Sequence, residues 1–576
     1  MTIASDSHRR GRASGLSFGP IALLALAVLA AALLLLIPMT VPIGPMYWDL
    51  FIYFDAANRI FDGQMPAVDF FAPVGPLGYY LFAWGIALFP DAQPLLLSQW
   101  SLLAVTAPLM ALVLADVGQR SRGIAFALLI PFLVFALLPF NNREFYPYPG
   151  SDGFGIYNRQ VTQVLYLLVA GLLFVKGRAI LVTLVTACML ALFTIKITGF
   201  ISGGLICLYA FAAARLTFRQ AAAAAAAFLA TLGLLELTTG MVSAYVRDIY
   251  ALVADNTDAL APRMVQAVSL TFGVVAPAGA LVLLLLWQER PKLAKLWRQS
   301  TSRLAGMQAI LDRPALWLAV VVFAGIFFEA QNTGSQAMIM VWPVLLVILM
   351  KLPAMLHAPA RALAIAALAA ACFLPLLVNT TERAARAYAG ALKNVTLQHD
   401  RLKTLGTVNM RPEIADRADT MMVVYAEEKD YAARIVESGH LPSPMLYQDF
   451  DFQIIHMRAI GDAVIALEEL EANTGLRFET MMNVNFVNPF PWLMDRSAPR
   501  RISIGADPSR TVPPPDEEAL AAVRDVDIAL MPTCPLTTAN AHLFEIYGES
   551  LADHRLIELT PCFDALVHPR LADRLD

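Results

Sequence analysis

Two aspartates bracket a polar segment that lies between stretches apolar enough for a bilayer. Asp49 stands in Tyr47-Trp-Asp-Leu-Phe-Ile-Tyr-Phe-Asp-Ala-Ala-Asn-Arg-Ile-Phe-Asp-Gly63, just where the chain leaves its first hydrophobic run. Asp69 opens Val68-Asp-Phe-Phe-Ala-Pro-Val-Gly-Pro-Leu-Gly-Tyr-Tyr80, a turn stiffened by Pro and Gly. A carboxylate held at a membrane face is suited to take the proton of an acceptor hydroxyl. Asp is also a favoured helix N-cap, so Asp49 equally suits the start of an amphipathic helix over 50–62. Asp69 has a similar double reading: it orients an acceptor or ligates a divalent metal, or it closes an Asx-type turn. Asp55 and Asp62 share the helix and read as solvated, with Asp62-Gly63 ending it.

Cations that suit a phosphate lie elsewhere. Lys196, in Phe193-Thr-Ile-Lys-Ile-Thr-Gly-Phe200, is the lone Lys of a long apolar stretch. An ionisable group at such depth is a functional candidate, although a lysine also snorkels to the interface. The segment Asn141-Asn-Arg-Glu-Phe-Tyr-Pro-Tyr-Pro-Gly-Ser-Asp-Gly-Phe-Gly-Ile-Tyr-Asn-Arg-Gln160 combines aromatics, glycines and two arginines. Rings stack on sugars and Arg grips phosphate in a bidentate fork, which singles out Arg159, Arg143 and Tyr148. An interfacial aromatic belt accounts for the same composition. Glu329-Ala-Gln-Asn-Thr-Gly-Ser-Gln336 ends an apolar run, so Glu329 and Asn332 either line the site or form a tight turn. Glu236 is a weaker candidate of the same kind.

The elements that must position these groups are mostly membrane helices. The chain has 576 residues, 58% hydrophobic and 15% charged, too apolar for a soluble protein of this size. Runs of about 18 or more apolar residues recur, enough to cross a bilayer core of roughly 30 Å. The pattern predicts about eleven spans: 19–42, 95–117, 124–140, 161–175, 179–195, 198–214, 220–240, 268–287, 314–330, 337–351 and 361–378. The segment 76–89 is apolar but short and reads as an interfacial or re-entrant helix. With it outside the count, Lys and Arg alternate between loops. Arg9, Arg10, Arg12, Arg120, Arg122, Lys176, Arg178, Arg215, Arg219, the Arg290–Arg313 cluster, Lys351 and Arg361 share one side, which the positive-inside rule makes cytoplasmic. The N-terminus is then cytoplasmic, its apolar run a retained anchor rather than a signal peptide. The 44–94 and 141–160 loops, the 242–266 connection and everything beyond 379 lie outside. Gln288–Arg313, basic and amphipathic, suits an anionic lipid surface.

Residues 1–379 thus read as a membrane domain and 380–576 as a periplasmic α/β domain. In the latter, strands near 478–487, 526–531, 555–559 and 563–567 alternate with helices. A net charge of −4 gives no reason to expect a nucleic-acid partner. Among five cysteines there is no C-x-x-C, and Cys534 and Cys562, each near a strand in an oxidising compartment, are positioned to pair. No P-loop, dinucleotide fingerprint or nucleophile–base set appears, and no cofactor is named.

Residues 44–90 resemble the GT-C superfamily of membrane glycosyltransferases, whose members include protein O-mannosyltransferases and the aminoarabinose transferases of lipid A. The likeness lies in the Asp after the first span, the amphipathic helix, and Pro73-Val-Gly-Pro-Leu-Gly-Tyr-Tyr80, similar to the family's Pro-Pro-Leu-Tyr-Tyr segment. Lys196-Ile-Thr-Gly199 is similar to a Lys-x-x-Gly element of such proteins. The resemblance implies a polyprenyl-phosphate sugar donor, an outward site in a bacterial inner membrane, a periplasmic lipid, glycan or protein acceptor, and an inverting displacement with the base at Asp49. Where many members carry Asp-Glu, this chain has Asp49-Leu50, which raises the interest of Asp69. A transporter or flippase for lipid-linked glycans, and an assembly subunit of an envelope glycan complex, stand as alternatives.

Overall fold

The computed structural model describes residues 19–143, 150–254, 260–299, 302–331, 334–355, 357–397, 399–438 and 450–575. It is mainly helical. Among the described residues five helices are long and apolar enough to cross a membrane: Pro94–Gly118, Arg178–Ile195, Phe218–Thr239, Phe272–Pro291 and Pro359–Lys393. A sixth span exists if Arg303–Leu311 and Pro314–Glu329, bent by 65° at their junction, count as one. Several other expected spans are apolar helices of 10–17 residues, among them Pro20–Leu35, Arg122–Leu137 and Ile197–Ala212. Two of the helix ends are set by extended residues: Lys196 between two helices and Leu138 after Leu137. The short 76–89 segment forms the helix Leu77–Leu88, about 18 Å long at 1.5 Å per residue, too short to span.

One large core fills the space between the membrane helices, around residues such as Phe132, Tyr166, Leu192 and Trp317. A second core joins parts far apart in sequence. Leu50, Phe51 and Phe54 of the helix Asp49–Phe61 and Phe82 of Leu77–Leu88 pack with Leu402, Ile454, Phe478, Phe490 and Phe563. The 44–94 loop and the C-terminal region are therefore built around shared apolar burial, the dominant favourable term in such packing. Strand pairing adds to this: Val41–Pro42 runs parallel to Val408–Met410.

The C-terminal region carries a four-stranded sheet in the order Met481–Asn483, Ile528–Pro532, Phe563–Val567, Arg555–Thr560. The first pair is parallel and the others antiparallel. Helices Phe450–Thr474, Glu517–Arg524 and Thr538–Tyr547 accompany it. Cys534 and Cys562 form a disulfide with Cα atoms 4.8 Å apart. The long helix Pro359–Gly390 carries the chain from the apolar half toward this region.

Candidate active site around Asp49 and Lys196

Asp49 is the first residue of its helix, with Trp48 at the N-cap and no side-chain cap bond. Its carboxylate is 9% exposed. The hydrogen bond it makes crosses to another element: Gly155 N–H donates to Oδ2 at 3.4 Å. Gly155 sits at φ +70, a left-handed conformation that a side chain resists. It caps the helix Ile156–Phe174, so Asp49 faces the positive end of that helix. Burial pushes the Asp49 carboxyl up to about 7, while the Gly155 bond and the Arg159 charge pull it back. A carboxyl poised near neutrality suits general-base work.

The segment bearing Gly155 lies flat on the chain entering Asp49. Ser151 N donates to Pro42 O at 2.9 Å and Gly153 N to Pro45 O at 3.1 Å. A Cβ on Gly153 would come within 2.4 Å of Met46 O. The glycines of this loop thus serve close backbone approach.

Arg159 holds the segment from beneath. It is fully buried, and its guanidinium donates to Gln99 Oε1 at 2.9 Å, Asn141 Oδ1 at 3.0 Å, Phe154 O at 2.9 Å and Asp152 O at 3.0 Å. Asp152 in turn pairs with Arg383 of the long helix at 2.9 Å and accepts Asn141 N at 2.7 Å. Four of Arg159's donors are thereby committed to protein oxygens. Its position is that of a clamp on the Asp49 roof, whereas the sequence suggested a phosphate ligand.

Lys196 approaches the same first turn of Ile156–Phe174. Its Nζ donates to Asn158 Oδ1 at 2.8 Å and lies over the rings of Tyr157 at 4.9 Å and Phe328 at 5.4 Å. The buried Glu329 carboxylate, which accepts the Ser335 hydroxyl, is near enough to act on the Lys196 charge. From the 242–266 connection, the Tyr245 ring packs edge-on against Phe193, three residues before this lysine. Asp49, Lys196 and Glu329 are therefore gathered around one helix start, through Gly155, Tyr157 and Asn158.

Between these groups lie polar atoms with no protein partner. Tyr53 Oη, Gln160 Oε1 and Thr198 Oγ1 are all buried and unbonded. Tyr53 Oη and Gln160 Oε1 both border Gly78, at 3.5 Å and 3.1 Å from where its Cβ would stand. Buried polar atoms are ordinarily satisfied, so this pair has hydrogen-bonding capacity that the protein does not use.

Asp69 has other partners. Its Oδ2 accepts Met65 N at 2.8 Å and its Oδ1 pairs with Arg500 at 3.0 Å, the turn geometry combined with a contact to the C-terminal region. Asp55, read as solvated, is instead 2% exposed and ion-paired to Arg59 at 2.8 Å, because residues 496–499 cover that helix face. Asp62 is exposed as expected. Arg143 is exposed, and its carbonyl accepts from Arg383 at 3.1 Å. Glu236 accepts Ser243 N at 2.9 Å in an exposed turn. Tyr148 and Asn332 lie outside the described residues.

Among the described residues no three His, Cys, Asp or Glu side chains are grouped to hold a metal. Sequence reasoning missed Gly155, Asn158, Tyr53 and Gln160. Tyr53 was within reach, since i and i+4 share a helix face. The other three required knowing which elements meet.

No family model and no curated protein matches the chain. The resemblance to membrane glycosyltransferases read from residues 44–90 recurs among solved structures. The chain is similar to ArnT from Cupriavidus metallidurans bound to undecaprenyl phosphate: 14% identity, 94% of this chain and 97% of that one covered, TM-score 0.40. For ArnT in the apo state the values are 13%, 94%, 97% and 0.38. The archaeal oligosaccharyltransferase AglB from Archaeoglobus fulgidus, in complex with an inhibitory peptide and a dolichol-phosphate, gives 10%, 96%, 74% and 0.28.

Proposed function

We propose that the chain is a membrane glycosyltransferase that moves a sugar from a polyprenyl-phosphate donor to a hydroxyl of a periplasmic lipid, glycan or protein, from an inner-membrane position. The observation that carries this reading is a buried carboxyl, Asp49, held by the Gly155 N–H at a helix start whose Asn158 side chain also receives the half-buried Lys196 ammonium. Ionised Asp49 takes the proton of the acceptor hydroxyl as its oxygen bonds to the anomeric carbon. The bond from that carbon to the phosphate oxygen breaks on the opposite face, and polyprenyl phosphate departs with the electron pair. The added negative charge on the leaving phosphate is stabilised by Lys196, whose ammonium exchanges Asn158 for a phosphate oxygen. Glu329 keeps Lys196 charged and oriented. Arg159 acts at a distance by holding Gly155 against Asp49. Tyr53 and Gln160 meet hydroxyls of the sugar or acceptor. Arg143, together with Tyr148 and Asn332 outside the described residues, stays assigned to substrate binding.

The test uses the leaving group alone. Undecaprenyl phosphate added to the purified full chain should raise its melting temperature, and Lys196→Met should weaken that binding by roughly tenfold or more, the loss of one charge-assisted bond. Undecaprenol, which lacks the phosphate, should bind neither protein well. Equal binding of undecaprenyl phosphate by wild type and Lys196→Met would remove the lysine from the donor site and the reading with it.

A further inference from the structure

The helices that meet at the Asp49–Lys196 region also share an opposite end. Ile197–Ala212 and Pro314–Glu329 each have 16 residues, about 24 Å of helix. Ile156–Phe174 runs the same way, from Gly155 to a terminus beside Arg215. At this far end lies a cavity of about 410 Å³, lined by Leu173, Arg215, Asp312, Arg313, Val347 and Lys351 among others.

The charges lining it are unequally satisfied. Arg215 Nε donates to Asp312 Oδ1 at 2.5 Å, and Trp317 Nε1 donates to the same oxygen at 3.1 Å, so that ion pair is closed. Arg313 is different. Its NH1 lies 3.6 Å from Glu289 Oε1, long for a hydrogen bond, and its Nε is buried with no partner. Lys351 is exposed, its backbone N–H is used within the helix turn, and the charge acting on its ammonium most strongly is that of Glu289. With Arg215 matched by Asp312 and Glu289 only loosely against Arg313, the cavity carries an excess of positive charge. An unpartnered buried guanidinium N–H is costly, and its fork fits an anion with several acceptor oxygens.

The surroundings identify the class of anion. Leu173, Val344 and Val347 give the cavity an apolar wall. Trp287, 68% exposed, carries the Arg290 guanidinium 3.5 Å above its ring, the pairing of aromatic and cation found at membrane interfaces. Both features sit beside the basic Gln288–Arg313 stretch. We infer that this cavity binds a phosphate group between Arg313 and Lys351, that of a lipid headgroup in the leaflet opposite the Asp49 site or of a soluble phosphate. The site is separate from the transfer reaction, since three helices' length divides the two.

Native mass spectrometry of the full chain in detergent, with phosphatidylglycerol or phosphatidylcholine added, reads the lipid source. Phosphatidylglycerol should be retained about tenfold better, as expected for desolvated charge-assisted contacts. Arg313→Gln with Lys351→Gln should bring it down to the phosphatidylcholine level. Lys351→Gln alone, at an exposed position, should show part of the same loss and covers the case in which the double variant does not fold. Inorganic phosphate tested by melting temperature reads the soluble source: a rise that both variants lose assigns a soluble phosphate. Equal retention of the two lipids with no effect of inorganic phosphate would overturn the inference. So would a preference for phosphatidylglycerol, or a response to phosphate, that survives in both variants.

Discussion

The helix Asp49–Phe61 has two ends of contrasting chemistry. At its start, Asp49 is buried with one long hydrogen bond from Gly155 and sits close to the unpartnered Tyr53 hydroxyl. Toward its end, Asp55 and Arg59 are equally buried but closed on each other. Arg59 donates to Asp55, to Gln64 Oε1 at 3.2 Å and to Pro499 O at 2.6 Å. Gln64 continues to Ala498 O at 3.0 Å, and Asn58 to Arg496 O at 2.9 Å. The difference is one of satisfaction. Arg59 keeps one buried Nη2 without a partner, but its charge is neutralised by Asp55 at 2.8 Å, and a charge paired within its own protein fixes a geometry, as this end does for the C-terminal region. A charge left under-satisfied at a helix start keeps its free energy for a ligand. Burial alone therefore does not distinguish the two carboxylates; the counter-charge beside Asp55 does.

The sharpest break of this comparison is Asp49→Asn. The amide occupies the same volume and still accepts from Gly155, but it takes no proton near neutral pH. Transfer should fall by about 10²–10⁴-fold, the usual contribution of a positioned general base, while undecaprenyl phosphate still stabilises the protein. Retained turnover in a sugar-transfer assay on membranes would instead favour the assembly-subunit reading, in which Asp49 is dispensable.

The other end should fail differently. Arg59→Met leaves Asp55 buried without its counter-charge, and breaking one partner of a buried pair costs about 3–5 kcal/mol. The expected outcome is a lower melting temperature and earlier proteolysis between the C-terminal region and the 44–94 loop. Double replacement, Asp55→Leu with Arg59→Met, should recover much of the loss, because a buried pair exchanged for apolar groups is often neutral. No such rescue is available to Asp49, whose value lies in its charge.

These contrasts also show what the sequence could convey. The amphipathic helix, its Asp62-Gly63 end, the short 77–88 helix and the alternating strands of the C-terminal region follow from local pattern, so they were readable. So was the pairing of Cys534 with Cys562, since both flank adjacent strands. The roles of Arg159 and Asp55 were not, because each depends on distant cover: Arg383 reaches Asp152 across 231 positions, and Pro499 reaches Arg59 across 440. Of the eleven expected spans, five helices, or six with the bent pair, among the described residues have the length and apolarity to cross a membrane, because hydropathy registers apolar runs and not the length of the helix each one forms.

A proton titration gives a milder test. Asp49 is held near 7 mainly by burial, so it must ionise to act as base. Between pH 8 and pH 6 the ionised fraction falls roughly tenfold, and kcat/KM should fall with it on the acid side. The stability consequence has the opposite sense. With a folded value raised above the ordinary 3.8, the native state binds more protons across that window, so its stability declines as pH rises from about 4 to about 7. Melting temperatures should accordingly show Asp49→Asn ahead of wild type at pH 8 and level with it near pH 4. A wild-type rate that is flat from pH 6 to 8 would mean that the carboxyl is not the base.

Asp69 supplies the smallest effect and the clearest control. It is the other carboxylate that the sequence offers for catalysis, and its oxygens are already divided between Met65 N–H and Arg500. Asp69→Asn keeps an acceptor for the Met65 N–H, so the turn survives. What it removes is the ion pair, and the Arg500 side chain is 61% exposed. Exposed pairs contribute about 0–1 kcal/mol, so the melting temperature should shift little and the salt sensitivity of C-terminal docking only slightly. Transfer should stay within about twofold of wild type, because the general-base factor is assigned to Asp49. The two substitutions remove the same charge from the same loop, one from each side of the helix. A large loss at Asp69 with a small one at Asp49 would reverse the comparison and move the base to the turn. A large loss at both would point to a shared acceptor held between two carboxylates, with Arg500 completing the site from the C-terminal region.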